Sequence, residues 1–199
     1  MTTHLQVVVD IEGKGKYDDA IVTRIALCPF RFDEGYIPYD KLLERTLYIP
    51  IDQDEQIQMG RKTDQLTEGW WAQQSEELRK ESYYPTERDV SVKKMFDLSK
   101  AFLRRWNYHY SESFLWARNC AYEYGKLSSL NDTVYPGEKH VFNGWKWQEC
   151  KTYNYIMSGG ETERWMPENV EDYGFQYHNA KHDSAMDCLR LLTLWHGLN

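Results

Sequence analysis

The stretch LQVVVDIEG, residues 5–13, sets three consecutive valines directly before two acids and a glycine. An unbroken run of β-branched residues marks a strand buried on both faces, the central strand of a sheet covered by helices. Residues i and i+2 of a strand point to one face, so Asp10 and Glu12 project together from its end. Two carboxylates that close repel each other and raise a pKa unless a cation lies between them. Hard oxygen ligands so placed suit Mg²⁺ or Mn²⁺. A solvated turn after the strand accounts for the same acids and for Gly13 without any metal.

Outward from that strand, AIVTRIALCPF (20–30) reads as a second strand stopped by Pro29, and LLERTLYIP (42–50) as a third ending at Pro50. A polar stretch, DQDEQIQMGRKTD, leads to a helix that starts at Thr67 and runs through WWAQQSEELRKE. Between Thr86 and about Asn107, the residues Val92, Met95, Phe96, Ser99, Phe102, Leu103 and Trp106 follow helical spacing. SFLWA (113–117) is the next strand, with CAYEYGKLSSL as the helix after it. A loop over 131–138 precedes WKWQECKTYNYIM, a strand and then a helix. SGGETERWMPENVEDYG (158–174) reads as a long irregular connection. HDSAMDCLRLLTLW (182–195) closes the chain as a helix with Met186, Leu189, Leu192 and Trp195 on one face. Three strands in succession followed by strand–helix units imply an α/β domain, a mixed five-stranded sheet flanked by helices in the order of an RNase H-like fold. Residues 1–199 then form a single domain, a length that buries a core without staples.

The formal net charge of −7 argues against a protein held on nucleic acid by bulk electrostatics. It suits an enzyme that meets nucleic acid through bound cations, since two divalent ions would offset more than half of that charge. Eight Trp, 15 Tyr and 7 Phe supply a core and leave rings for stacking on bases. Cys28, Cys120, Cys150 and Cys188 are widely spaced with no CxxC pair, which fits reduced thiols and a cytoplasmic protein. The N-terminal MTTHLQVVVD has no signal-peptide pattern, and no apolar run reaches membrane-spanning length.

Near the C-terminus, Asp183 or Ser184 can cap the last helix, leaving His182 just outside it and Asp187 near its positive end. A histidine beside metal-bound water can accept its proton; a helix start and a surface histidine account for the same residues. His178 and His182 also stand four apart, a zinc spacing on a helix, but no third His or Cys lies nearby. In FLWARNCAYEYGKL (114–127), Glu123 sits among aromatic and apolar neighbours as a solvated residue, half of a buried ion pair, or a ligand.

Taken in order, VVVDIEG, WARNCAYEYGKL and HDSAMDC resemble the three motifs of the DEDDh 3′–5′ exonucleases, and within them the phage-type exonuclease A and bacterial exoribonuclease subgroup. LTEGWWAQQSEELRK (66–80) is similar to the Trp-Trp helix that this subgroup carries between its first and second motifs. The resemblance spans residues 5 to about 195. It implies two divalent cations, Mg²⁺ or Mn²⁺, held by Asp10, Glu12, Glu123 and Asp187, with His182 as the base. It further implies release of nucleoside 5′-monophosphates from the 3′ end of single-stranded DNA or RNA, or of a short oligonucleotide. Gly13 would meet the substrate through its backbone, and Trp70 or Trp71 would stack on a terminal base while the other packs in the core. The oligomeric state is left open, a homodimer included, as is a phage origin with the host cytoplasm as its place.

The chain departs from the pattern at three points. Glu123 stands where the family usually has Asp, adding one methylene and roughly 1.3 Å of reach. Gly13 stands where many relatives have Thr, and Gln148-Glu149 where the subgroup tends to have Arg and Asp. Two other functions stay open on the sequence: an exonuclease fold with weak or lost turnover that binds or regulates, and a small-nucleotide hydrolase or interaction domain without metal.

Overall fold

The computed structural model describes residues 4–160 and 173–197. Its strands are β1 (Gln6–Gly13), β2 (Val22–Phe30), β3 (Leu47–Pro50), β4 (Phe114–Ala117) and β5 (Trp147–Glu149). Its helices are α1 (Tyr39–Arg45), α2 (Gln53–Gln58), α3 (Gln65–Ala72), α4 (Glu76–Ser82), α5 (Val92–Arg105), α6 (Cys120–Val134), α7 (Cys150–Met157) and α8 (Ala180–His196). The valine run forms the middle strand of one mixed sheet of order β3-β2-β1-β4-β5. β2 and β3 pair antiparallel on one side of β1, while β4 and β5 continue in parallel on the other. Parallel neighbours need long crossovers, and α5, α6 and α7 lie in or beside those connections. The expected α/β, RNase H-like arrangement is the observed one.

Alternation along β1 divides the core. Val7, Val9 and Ile11 face Met95, Phe96 and Leu103 of α5 and Leu127 and Leu130 of α6. Val8 faces the opposite way, with Cys28, Leu42, Trp116 and the Met186, Leu189 and Leu192 stripe of α8. Asp10 and Glu12 continue the parity of Val8, so the pleat aims both acids toward the α8 side of the sheet.

Local differences from the sequence reading have physical causes. Residues 42–45 belong to α1, because Tyr39 and Leu42 bury one helical face, and only Leu47–Pro50 form the third strand. The polar stretch holds α2, capped by Asp52, whose side chain accepts from the Glu55 N–H at 2.9 Å. Its buried face is made of glutamines: Gln56 accepts from the Val22 N–H at 2.9 Å and donates to the Val22 carbonyl at 2.7 Å. The Trp-Trp helix begins at Gln65 under an Asp64 cap, and Ser75 restarts it as α4 by accepting from the Leu78 N–H. The last helix begins two residues before His182, capped by Asn179. Most of the expected irregular connection over 158–174 lies outside the described residues. Among the described residues no helix is long and apolar enough to cross a membrane.

Candidate metal centre and nucleic-acid pocket

At the end of β1 the ladder to β2 shifts register between Glu12 and Gly13, which frees the strand end. One oxygen each of Asp10, Glu12 and Asp183 lie within 4.8 Å of one another. Asp183 comes from the first turn of α8, where the helix dipole favours an anion. His178, just before the Asn179 cap, takes a left-handed φ of 61°, and its backbone N–H donates to Asp183 Oδ2 at 2.7 Å. The carboxylate is therefore oriented by the turn that starts the helix.

The cluster is electrostatically frustrated without a cation. Burial, then the charges of Asp183, Glu12 and Glu123, hold the Asp10 carboxyl well above the usual range. Burial and Asp183 do the same to Glu12. Burial, followed by Asp187, pushes Asp183 up to about 7. Glu123, on the first turn of α6, is buried, and among the described residues its Oε2 has no hydrogen-bond partner. Burial pushes its carboxyl up to about 8. An orphaned buried carboxylate oxygen beside three convergent acids, all of them oxygen donors, fits a hard divalent cation.

Asp187 and His182 are placed differently from the sequence expectation. Asp187 lies one turn deeper along α8, 2% exposed, and both of its oxygens are taken by cations. Arg118 donates through Nε to Oδ2 at 3.2 Å and through Nη2 to Oδ1, and Arg190 Nη1 donates to Oδ1 at 2.6 Å. The His182 ring hydrogen-bonds the Tyr39 hydroxyl through Nδ1 at 2.9 Å and packs between Tyr39 and Phe175. Burial lowers its pKa.

A pocket of about 410 Å³ opens over Asp10, Glu12 and Asp183. Trp70 and His178 stand at its side, their ring centroids 4.6 Å apart and edge to face. Trp70 is 37% exposed, whereas Trp71 is buried and donates through Nε1 to the Gly13 carbonyl at 3.1 Å. A Cβ on Gly13 would stand 2.9 Å from the Ile21 carbonyl oxygen. That explains why Thr is absent there: no side chain fits without moving the neighbouring backbone.

The structure thus brings Asp10 and Glu12 together with Asp183, adds His178 to the pocket lining, and leaves Glu123 outside that trio but near enough for its charge to act on Asp10 and Glu12. The spacing H-x₄-D occurs twice in this chain, at 178–183 and at 182–187. Asn179, a strong N-cap residue directly after His178, is the local sign that separates the two. Arg118 carried no sign in the sequence.

A family model described as a 3′-5′ exoribonuclease Rv2179c-like domain matches residues 5–195. The chain belongs to that family. Membership bears out the resemblance to the DEDDh exonuclease superfamily. A comparison with curated proteins finds no match. Among solved structures, the nuclease domain of 3'hExo, a DEDDh family member bound to rAMP, superposes with a TM-score of 0.63 at 9% identity, over 97% of this chain and 92% of that one. Cell-death related nuclease 4 (CRN-4) gives 0.56 at 9% identity, over 98% of this chain and 63% of that one. Exonuclease I from Methylocaldum szegediense gives 0.51 at 10% identity, over 98% of this chain and 42% of that one. The family chain is thus shorter than two thirds of the last two proteins, and at these identities the likeness is one of fold.

Proposed function

We propose that the protein is a metal-dependent 3′–5′ exonuclease that removes nucleoside 5′-monophosphates from single-stranded DNA or RNA ends. The observation that carries this reading is the convergence of Asp10, Glu12 and Asp183 within 4.8 Å at the floor of an open pocket. Two divalent cations, Mg²⁺ or Mn²⁺, would supply charge neutralisation at the scissile phosphodiester and lower the pKa of a bound water. Asp10, Glu12 and Asp183 would hold them, with Glu123 contributing from α6 through the oxygen that has no partner. His178 and Asp183 take the roles that the family resemblance implied for His182 and Asp187. Asp183 is the acid within reach of Asp10 and Glu12, and His178 lines the pocket. A ring nitrogen of His178 would receive the proton of the attacking water. The exposed ring of Trp70 offers a stacking surface for the terminal base, an interaction of about 1–3 kcal/mol that tolerates any base. The four unpaired cysteines support a reducing, cytoplasmic setting.

The test offers 3′-extended RNA and DNA oligonucleotides of one sequence with Mg²⁺ or Mn²⁺ and reads the products by chromatography. Stepwise release of 5′-mononucleotides, abolished by Asp183→Asn, is the expected result. Internal cleavage products, or full activity in Asp183→Asn, would overturn the reading. Glu123 favours one alternative, a binding module with weak turnover, because a carboxyl held at about 8 resists ionisation at neutral pH. That reading expects oligonucleotide binding without mononucleotide release.

A further inference from the structure

The pocket is lined by both signs of charge. The carboxylates of Asp10, Glu12 and Asp183 line it, and so do Arg118, Lys151 and Arg190. Arg118 is the residue directly after β4, whose parallel pairing with β1 brings the two strand ends to the same edge. Its guanidinium makes no hydrogen bond to the three acids of the cluster. It is held instead by Asp187 through Nε and Nη2, and among the described residues Nη1 has no hydrogen-bond partner. The Arg118 side chain is 26% exposed, while the Asp187 side chain that grips it is 3% exposed. A guanidinium is a rigid planar fork, so fixing one edge fixes where the remaining N–H groups point. The buried aspartate thus does two things: it keeps the arginine from neutralising the acids, and it holds a cationic donor in the pocket.

We infer that Arg118 forms a phosphate subsite, donating from Nη1 to a non-bridging oxygen of the nucleic-acid backbone, with Asp187 as its positioning residue. Lys151 adds a second positive charge to the pocket lining. The inference rests on the exonuclease reading and names how that pocket, in a chain of net charge −7, engages a polyanion beyond the reach of bound cations.

The test follows digestion of a single-stranded oligonucleotide at fixed Mg²⁺ while KCl is varied. Arg118→Met should raise KM about tenfold or more and make the slope of log(kcat/KM) against log[KCl] shallower by about 0.7, the loss of one phosphate contact on a single strand. Arg118→Lys keeps the charge and should keep the slope while raising KM, because a point charge lacks the fork. Arg118→Met combined with Asp187→Asn removes both partners; Arg190 then loses its bond to Asp187 Oδ1, so the double variant is compared with Asp187→Asn, which carries the same loss. A merely structural arginine predicts that these two variants share one KM and slope, which would overturn the inference; a higher KM and a shallower slope in the double variant support it. Wild-type protein that digests neither RNA nor DNA overturns the exonuclease reading and this inference with it. Wild-type digestion with unchanged KM and slope in Arg118→Met overturns this inference alone.

Discussion

Asp183 and Asp187 stand four residues apart on one face of α8, about 6 Å along the axis, yet their surroundings are opposite. Asp183 meets Asp10 and Glu12, and among the described residues no cationic side chain bonds it, whereas Asp187 is gripped by Arg118 and Arg190. The first arrangement keeps its repulsion; the second is already neutralised. One helix turn therefore separates a proposed metal ligand from a brace, and identical residue type says nothing about which is which.

The widest separation between the two should appear in turnover. Asp183→Asn is expected to lower kcat by about a thousandfold, since metal charge stabilisation is worth several kcal/mol. Asp187→Asn should keep kcat within tenfold. Equal losses in the two variants, measured with one oligonucleotide at saturating Mg²⁺, would erase the distinction. The order reverses in stability. Removing one member of a buried ion pair costs about 3–5 kcal/mol, so Asp187→Asn should melt at least 6 °C lower in a domain of this size. Asp183→Asn relieves repulsion and should melt no lower than wild type when metal is chelated.

A smaller effect tests the frustrated cluster directly. The carboxyls of Asp10, Glu12, Asp183 and Glu123 are all raised in the folded state, to about 7 for Asp183 and about 8 for Glu123. The folded protein then binds more protons than the unfolded chain between about pH 4 and about pH 8. Stability from these groups is fully present below about pH 4 and is lost as pH rises through their folded values. In EDTA the melting temperature should therefore fall across that window. Mn²⁺ at a hundred times its Kd should add about 2.7 kcal/mol at pH 7.5, roughly 5–11 °C, and flatten the profile. A melting temperature indifferent to Mn²⁺ would remove the metal from the comparison. The smallest effect belongs to Glu123→Gln, expected to weaken Mn²⁺ binding about ten- to a hundredfold by calorimetry while raising the metal-free melting temperature.

The central strand was legible because three valines and two acids carry burial and chemistry in one short run, without help from distant residues. The Trp-Trp pair was legible to the same degree: adjacent helix positions diverge by about 100°, and Trp71 is buried while Trp70 stands at the pocket. Helix α2 was hidden because its buried face uses Gln56, which satisfies the backbone of Val22 in β2, and Gln53, which donates to the Tyr83 carbonyl, and these leave no apolar stripe. The register of the last motif was ambiguous because a shift of four residues preserves both the helix face and the H-x₄-D spacing. Asn179 is the local sign between the two registers, and the contact that occupies the deeper aspartate is non-local: Arg118, 69 positions before Asp187, holds it. No pattern within HNAKHDSAMD announces that contact.

The bond from Trp71 Nε1 to the Gly13 carbonyl joins α3 to the strand that ends in Asp10 and Glu12. Trp70, the next residue back, is therefore tied through its neighbour to the strand that carries the carboxylates. The separation between the stacking ring and the acidic floor becomes a built-in ruler. In the proposed reaction that ruler would set the step, one nucleotide per cut, by length rather than by reading any base. Loosening it with Trp71→Phe should blur the product ladder before it slows the enzyme.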